Sequence, residues 1–148
     1  MQNMIRPFLL LVALLGMITA LTAAEPAAAR TKPVVVVLRA DWCTTCQKIE
    51  PGMGPLVGKY ADRLDFVVLD VTSDETKAKS AARAKELGLG DFFTRNLDQG
   101  TPLIAIISRS GKEVFHQVGS DDLALYDKAF AKATTNPLAR CYHWMTGN

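Results

Sequence analysis

The sequence predicts an α/β fold: a central mixed sheet with flanking helices, in one domain behind an N-terminal signal or anchor. Three observations carry this. Short, continuous, β-branched apolar runs at Val34–Leu38, Phe66–Val71 and Pro102–Ile107 read as buried strands. Stretches with helix propensity and capping residues separate them. A turn at Arg109-Ser110-Gly111-Lys112 joins the third run to the alternating segment Glu113–Val118, which makes a hairpin. The chain has 148 residues, the size of one domain at about 100–200 residues each.

In order along the chain, residues 1–24 come first, with Arg6 as their only charge and an uncharged run from Phe8 to Ala24. A short basic start, an apolar stretch and small residues at Thr22-Ala23-Ala24 describe a secretory signal. The run is also at the lower limit for spanning about 30 Å of hydrocarbon, so an uncleaved anchor is the alternative. Either way the rest of the chain lies outside the cytoplasm, periplasmic or otherwise extracytoplasmic, and touches a membrane only through residues 1–24 if they are retained. Residues 25–32 read as a linker, 33–134 as the folded domain and 135–148 as a C-terminal tail.

Within the domain, Val34–Leu38 is the first strand. Cys43 to about Tyr60 is helical in parts, with Pro51-Gly52-Met53-Gly54-Pro55 expected to kink or break it. Phe66–Val71 is a second buried strand. Thr72-Ser73-Asp74-Glu75 fits a capping box with Thr72 as N-cap and Glu75 reaching back. The helix then runs to Leu87 and stops at Gly88. Residues 90–100 read as irregular. Phe92 and Phe93 there pack that connection onto the core, or line a partner-binding surface. After the hairpin, Ser120 is placed to cap a last helix with Leu123, Tyr126 and Phe130 on one face.

Charge and composition exclude some functions. Lys+Arg is 17 and Asp+Glu 15, which leaves no basic excess to neutralise phosphates and disfavours a nucleic-acid binder. Charged residues at 22% and apolar ones at 49% describe a globular chain. Three cysteines are too few for a disulfide-stapled scaffold, and two of them form one C-x-x-C.

That motif carries the chemistry. Cys43 follows a buried strand and starts a helix, where free N–H groups and the helix dipole favour thiolate over thiol. Its pKa is expected to fall below about 8.5. Cys46, nearly one turn on, can reach the Cys43 sulfur and points more toward the protein body. Cys43 then attacks a disulfide, and Cys46 resolves the mixed disulfide; reversed, the same steps oxidise a dithiol. Two blander readings compete. Half of a zinc site is disfavoured, since no second C-x-x-C exists and His116 and His143 lack finger spacing. A purely structural bridge would restrain very little chain.

Ala40-Asp41-Trp42-Cys43-Thr44-Thr45-Cys46 after a run of valines resembles the active-site region of the thioredoxin superfamily. Pro51, Thr101-Pro102 opening a late strand, and Gly111 and Gly119 are similar to further family landmarks, over residues 33 to 134. The A-D-W-C-x-x-C form is most similar to extracytoplasmic, secreted or membrane-tethered members. The resemblance implies a thioredoxin-like fold and a thiol:disulfide oxidoreductase. In it Cys43 is the nucleophile and Cys46 the resolving thiol. Trp42 flanks the exposed sulfur, Pro102 is cis beside the disulfide, and the Thr101 backbone is free to pair with an extended substrate.

Departures from the family matter too. Its buried Asp in the strand before the motif falls on Val37, and its nearby buried Lys on Val68. Asp41 and Glu50 are the nearby carboxylates, read as surface groups. The middle dipeptide Thr44-Thr45 lacks the family's usual proline or histidine, so it does not announce a redox poise. Outside the motif, Cys141 and His143 form no metal site by themselves, Tyr142 and Trp144 read as docking the tail, and His116 shares a half-buried strand face.

These readings converge on an extracytoplasmic oxidoreductase of protein disulfides, acting as a reductase without cofactor or resident metal. A reductase in an oxidising compartment implies a membrane electron donor. The alternatives are a dithiol oxidase or isomerase of the same fold, a copper chaperone using Cys43, Cys46 and a histidine, and a non-catalytic binding module.

Overall fold

Five consecutive apolar residues put strand β1 (Val34–Arg39) in the middle of a four-stranded sheet of order β2-β1-β3-β4. The protein is seen here as a computed structural model that describes residues 30–135. Helix α1 (Thr44–Tyr60) follows, then β2 (Asp65–Asp70), α2 (Asp74–Glu86), α3 (Gly90–Asn96), β3 (Leu103–Ile107), β4 (Glu113–Val118) and α4 (Leu123–Thr134). β1 runs parallel to β2 and antiparallel to β3, and β4 returns antiparallel beside β3. The sheet is mixed, as the alternation of strands and helices with a closing hairpin predicts.

Because side chains alternate along a strand, β1 feeds two cores. Val34, Val36 and Leu38 join Leu103, Ala105, Phe92 and Phe93 on one face. Val35 joins Ile104, Ile106, Ile49, Tyr126 and Phe130 on the other. Tyr60, Phe66 and Phe130 meet edge to face with ring centroids 5.8 and 5.6 Å apart. Helices α1 and α4 approach closely at Gly52, where a Cβ would run into the Leu123 side chain. The Tyr60 hydroxyl donates to Asp127 at 2.7 Å and ties the same pair at its other end.

Several local expectations are corrected. Of the kink or break expected at Pro51–Pro55 there is no break: helix α1 is continuous over 17 residues with Pro51 and Pro55 inside it. Each proline forfeits one bond, to the carbonyls of Gln47 and Pro51. Those residues and Pro55 recur every fourth position on the exposed face, where water can take the carbonyls. The N-cap of α2 is Ser73, not Thr72, and its box partner is Thr76, not Glu75. Thr72 is otherwise engaged, because its hydroxyl accepts from the Asp41 N–H across the sheet end. Strand β2 is an edge strand. Only Leu69 is buried in it, and Val68 is 59% exposed.

Residues 90–100 are not irregular throughout, since α3 occupies Gly90–Asn96. No side chain caps it. Burial of Phe92, Phe93 and Asn96, and the Asn96 amide donating to the Phe92 carbonyl at 2.7 Å, hold it in place. Both phenylalanines are therefore core, not a partner-binding surface. Helix α4 is capped by Asp122, whose carboxylate accepts from the N–H groups of Ala124 and Leu125; the Ser120 hydroxyl instead accepts from the Asp122 N–H. The stop after α2 is as expected. Gly88 takes φ 64°, with Gly88 N–H bonded to Lys85 O and Leu89 N–H to Ala84 O.

Of the expected linker, Arg30 donates to the Leu87 carbonyl at 2.7 Å and Lys32 to that of Ala61 at 3.1 Å. The signal or anchor at residues 1–24, and Cys141, Tyr142, His143 and Trp144 of the tail, lie outside the described residues. No described helix is long and apolar enough to cross a membrane.

Candidate functional site at the start of helix α1

The candidate site lies where β1 ends. After Arg39 the chain turns, with Cys43 N–H bonded to the Ala40 carbonyl at 3.1 Å. Cys43 is the N-cap of α1, in extended conformation, and its sulfur accepts from the Cys46 N–H at 3.1 Å. The two cysteines form a disulfide, with Cα atoms 5.2 Å apart. The first turn of α1 carries no acidic residue, so nothing there offsets the positive end of the helix dipole. The Cys43 sulfur thus sits at the positive end of α1, against the N–H groups of its first turn.

Burial departs from the sequence reading in one respect. Cys43 is not prominently exposed: it is 6% accessible, against 4% for Cys46, and both belong to the core face with Leu38 and Leu103. The exposed feature is Trp42, at 65%. Of the intervening dipeptide, Thr44 is exposed and Thr45 half-buried.

Register brings the remaining residues to the same end. Leu38 faces Leu103 across β1 and β3, so Pro102, one residue before Leu103, lies at the sheet end where the β1–α1 loop begins. The Thr101–Pro102 peptide is cis, Pro102 is fully buried, and the buried Thr101 hydroxyl has no partner among the described residues. Val37 and Val68 are direct partners in the parallel β1–β2 register, so no charged pair stands at these two positions. Asp41 and Glu50 are exposed, as read.

Sequence reasoning missed a second layer of residues. Arg39 Nη1 contacts Asp41 at 2.8 Å and Asp70 at 3.2 Å. Asp70 accepts from the Thr72 N–H at 2.8 Å. The Thr72 hydroxyl accepts from the Asp41 N–H at 2.9 Å, and its carbonyl accepts from the Trp42 indole N–H at 3.2 Å. Gln47 donates to the Asp41 carbonyl at 2.6 Å. The Thr72 side chain foremost, then its backbone N–H, the Thr76 side chain and the Arg39 charge hold the Asp70 carboxyl below the usual range, against desolvation, which pushes it up. One signal was available: parallel neighbours leave the sheet at the same end, so residues just after β2 must meet residues just after β1.

Among the described residues no three His, Cys, Asp or Glu side chains converge as a metal site. His116 is on β4, with its ring nitrogens 3.0 Å from Glu113 and 3.1 Å from Gln99.

Comparison with known proteins adds to this geometry. A family model described as Thioredoxin matches residues 21–84. The chain is 41% identical over 51 residues to the thiol:disulfide interchange protein TxlA of Synechococcus elongatus, which covers 34% of this chain and 27% of that protein. It is 34% identical over 95 residues to the chloroplastic thioredoxin-like protein HCF164 of Arabidopsis thaliana, covering 64% of this chain and 31% of that one. The chain thus spans under a third of the length of either relative. Among solved structures, thioredoxin NaTrxh from Nicotiana alata superposes with TM-score 0.52 at 27% identity, over 74% of this chain and 79% of that one.

Proposed function

We infer that this chain, which carries a thioredoxin domain in the thioredoxin-like fold, is a thiol:disulfide oxidoreductase that reduces protein disulfides outside the cytoplasm. The observation that carries the reading is the Cys43–Cys46 pair at the N-cap of α1, beside an exposed Trp42 and with no acid in the first helical turn.

In the reduced protein the Cys43 thiolate attacks one sulfur of a substrate disulfide. That sulfur bonds to Cys43, and the other leaves as a thiolate. Cys46, once deprotonated, attacks the Cys43 sulfur. The Cys43–Cys46 bond forms, and the second substrate sulfur leaves. Two electrons pass from the dithiol to the substrate, and the released thiolates take up the proton given up by Cys46 and one from solvent. Trp42 flanks the reacting sulfur, and Thr101 and Pro102 offer the edge on which an extended substrate segment lies. Thr44 and Thr45 complete the turn between the two sulfurs. A dithiol donor at the membrane returns the pair to its reduced form.

The extracytoplasmic site of action is supported by the charge-poor apolar run of residues 1–24. The direction is supported by the similarity of the Ala40-Asp41-Trp42-Cys43-x-x-Cys46 form to membrane-tethered thiol reductases, the Thr44-Thr45 dipeptide adding nothing to it. Its test is the midpoint potential of the Cys43–Cys46 couple. A value near that of thioredoxin, about −270 mV, supports reduction; one near about −120 mV makes the protein a disulfide donor. The chemistry has its own test. Cys46→Ser, unable to resolve, should accumulate mixed disulfides with proteins, visible as dithiothreitol-sensitive bands, while Cys43→Ser gives none. Equal trapping by both variants, or by neither, contradicts the assigned roles.

A further inference from the structure

The residues behind the dithiol form a closed ring. Arg39 bridges Asp70 and Asp41; Asp70 holds the Thr72 N–H; the Thr72 hydroxyl holds the Asp41 N–H. Thr72 has one further link that leaves the ring, from its carbonyl to the Trp42 indole N–H at 3.2 Å. The indole is held along this one edge while 65% of the residue stays open to solvent. Left loose, so exposed a side chain would sample several rotamers and would have to be ordered by whatever docks on it.

We propose that Thr72 is a positioning residue for exchange with protein disulfides: it pins Asp41 and Trp42 together, so that the indole stands as a fixed apolar wall beside Cys43 before a substrate protein arrives. The proposal rests on the oxidoreductase reading above. Thr72 touches neither sulfur, so its effect lies in docking and not in the exchange step. A protein disulfide, which must lay a surface against Trp42, depends on the wall. A small disulfide that meets only the sulfurs does not. Ordering one side chain in advance corresponds to about threefold to tenfold in docking affinity.

The test uses the full chain as wild type, Thr72→Val, Thr72→Ser, Trp42→Phe and the Val/Phe double variant, with insulin and glutathione disulfide as the two oxidants. Valine keeps the shape of threonine and removes the oxygen that accepts from Asp41. Thr72→Val is expected to raise the insulin KM about threefold to tenfold with kcat within about twofold of wild type, and Trp42→Phe, which alters the wall itself, to raise KM at least as much. The double variant should be no worse than the poorer single one, because Thr72→Val opens the Asp41 end and Trp42→Phe the indole end of one Asp41–Thr72–Trp42 linkage. Thr72→Ser, which keeps the hydroxyl, should retain the wild-type KM. The rate with glutathione disulfide and the midpoint potential should stay put in Thr72→Val.

An unchanged insulin KM in Thr72→Val overturns the proposal. So does an equal slowing with glutathione disulfide, which marks a merely structural residue, or a serine variant as impaired as the valine one. Should Thr72→Val not fold, Thr72→Ala, which removes the same hydroxyl with a smaller side chain, takes its place with the same readouts. A wild-type protein inert toward both oxidants removes the oxidoreductase reading, and this proposal with it.

Discussion

Replacing Asp70 by alanine removes the carboxylate at the centre of the loop junction. The bond from the Thr72 N–H at 2.8 Å and the contact with Arg39 at 3.2 Å are lost, together with the hold of the Thr72 and Thr76 side chains on the carboxylate. A hydrogen bond to a charged group contributes about 1.5–3 kcal/mol. The ion pair, partly open to water on both sides, adds about 0.5 kcal/mol. Arg39 keeps Asp41 at 2.8 Å, so its charge is not stranded. The expected loss is therefore about 2–3.5 kcal/mol at neutral pH. Asp70→Asn keeps an acceptor for Thr72 and should lose about 1 kcal/mol. Urea unfolding of the oxidised proteins measures both.

The sign of the pH dependence follows from the depressed Asp70 pKa. A carboxylate held below its unfolded value of about 3.9 stabilises the fold above that pH. The contribution is lost as pH falls through the folded value. The gap between wild type and Asp70→Ala should thus be flat above about pH 4 and narrow on further acidification. A gap under about 0.5 kcal/mol at neutral pH, or one that persists undiminished in acid, would refute the reasoning.

Two further substitutions probe the scaffold. Phe130→Ala empties a fully buried ring site touched edge to face by Tyr60 and Phe66; it should cost about 3–5 kcal/mol in urea unfolding. Gly88→Ala places a Cβ on a residue at φ 64° and should lower stability by about 1–2 kcal/mol, read as a fall in Tm; an unchanged Tm means the α2 stop does not need a glycine.

Much of the molecule was legible because its signals are local. Runs of valine and isoleucine mark β1 and β3 by composition alone, and Gly88 marks a helix end. The pairing of Cys43 with Cys46 at a helix start needs only their spacing and the strand before them. What the sequence could not rank was competition between local options. Thr72 and Ser73 are both acceptable caps, and the choice fell to Ser73 because Thr72 is claimed by Asp41. Gly90–Asn96 has no side-chain cap to announce it and becomes a helix by burying two phenylalanines.

By itself, then, the sequence determined the dithiol, the order of strands and helices apart from α3, and the hairpin, since each depends on residues within a few positions of one another. Tertiary structure alone decided that β2 lies at the edge with Val68 open to solvent. It also decided that α1 carries its prolines unbroken on the wet face, and that Arg39, Asp70 and Thr72 close on Trp42. The physical reason is common to all three. Burial, and the partner of a polar group, belong to pairs of residues that only the completed sheet brings together.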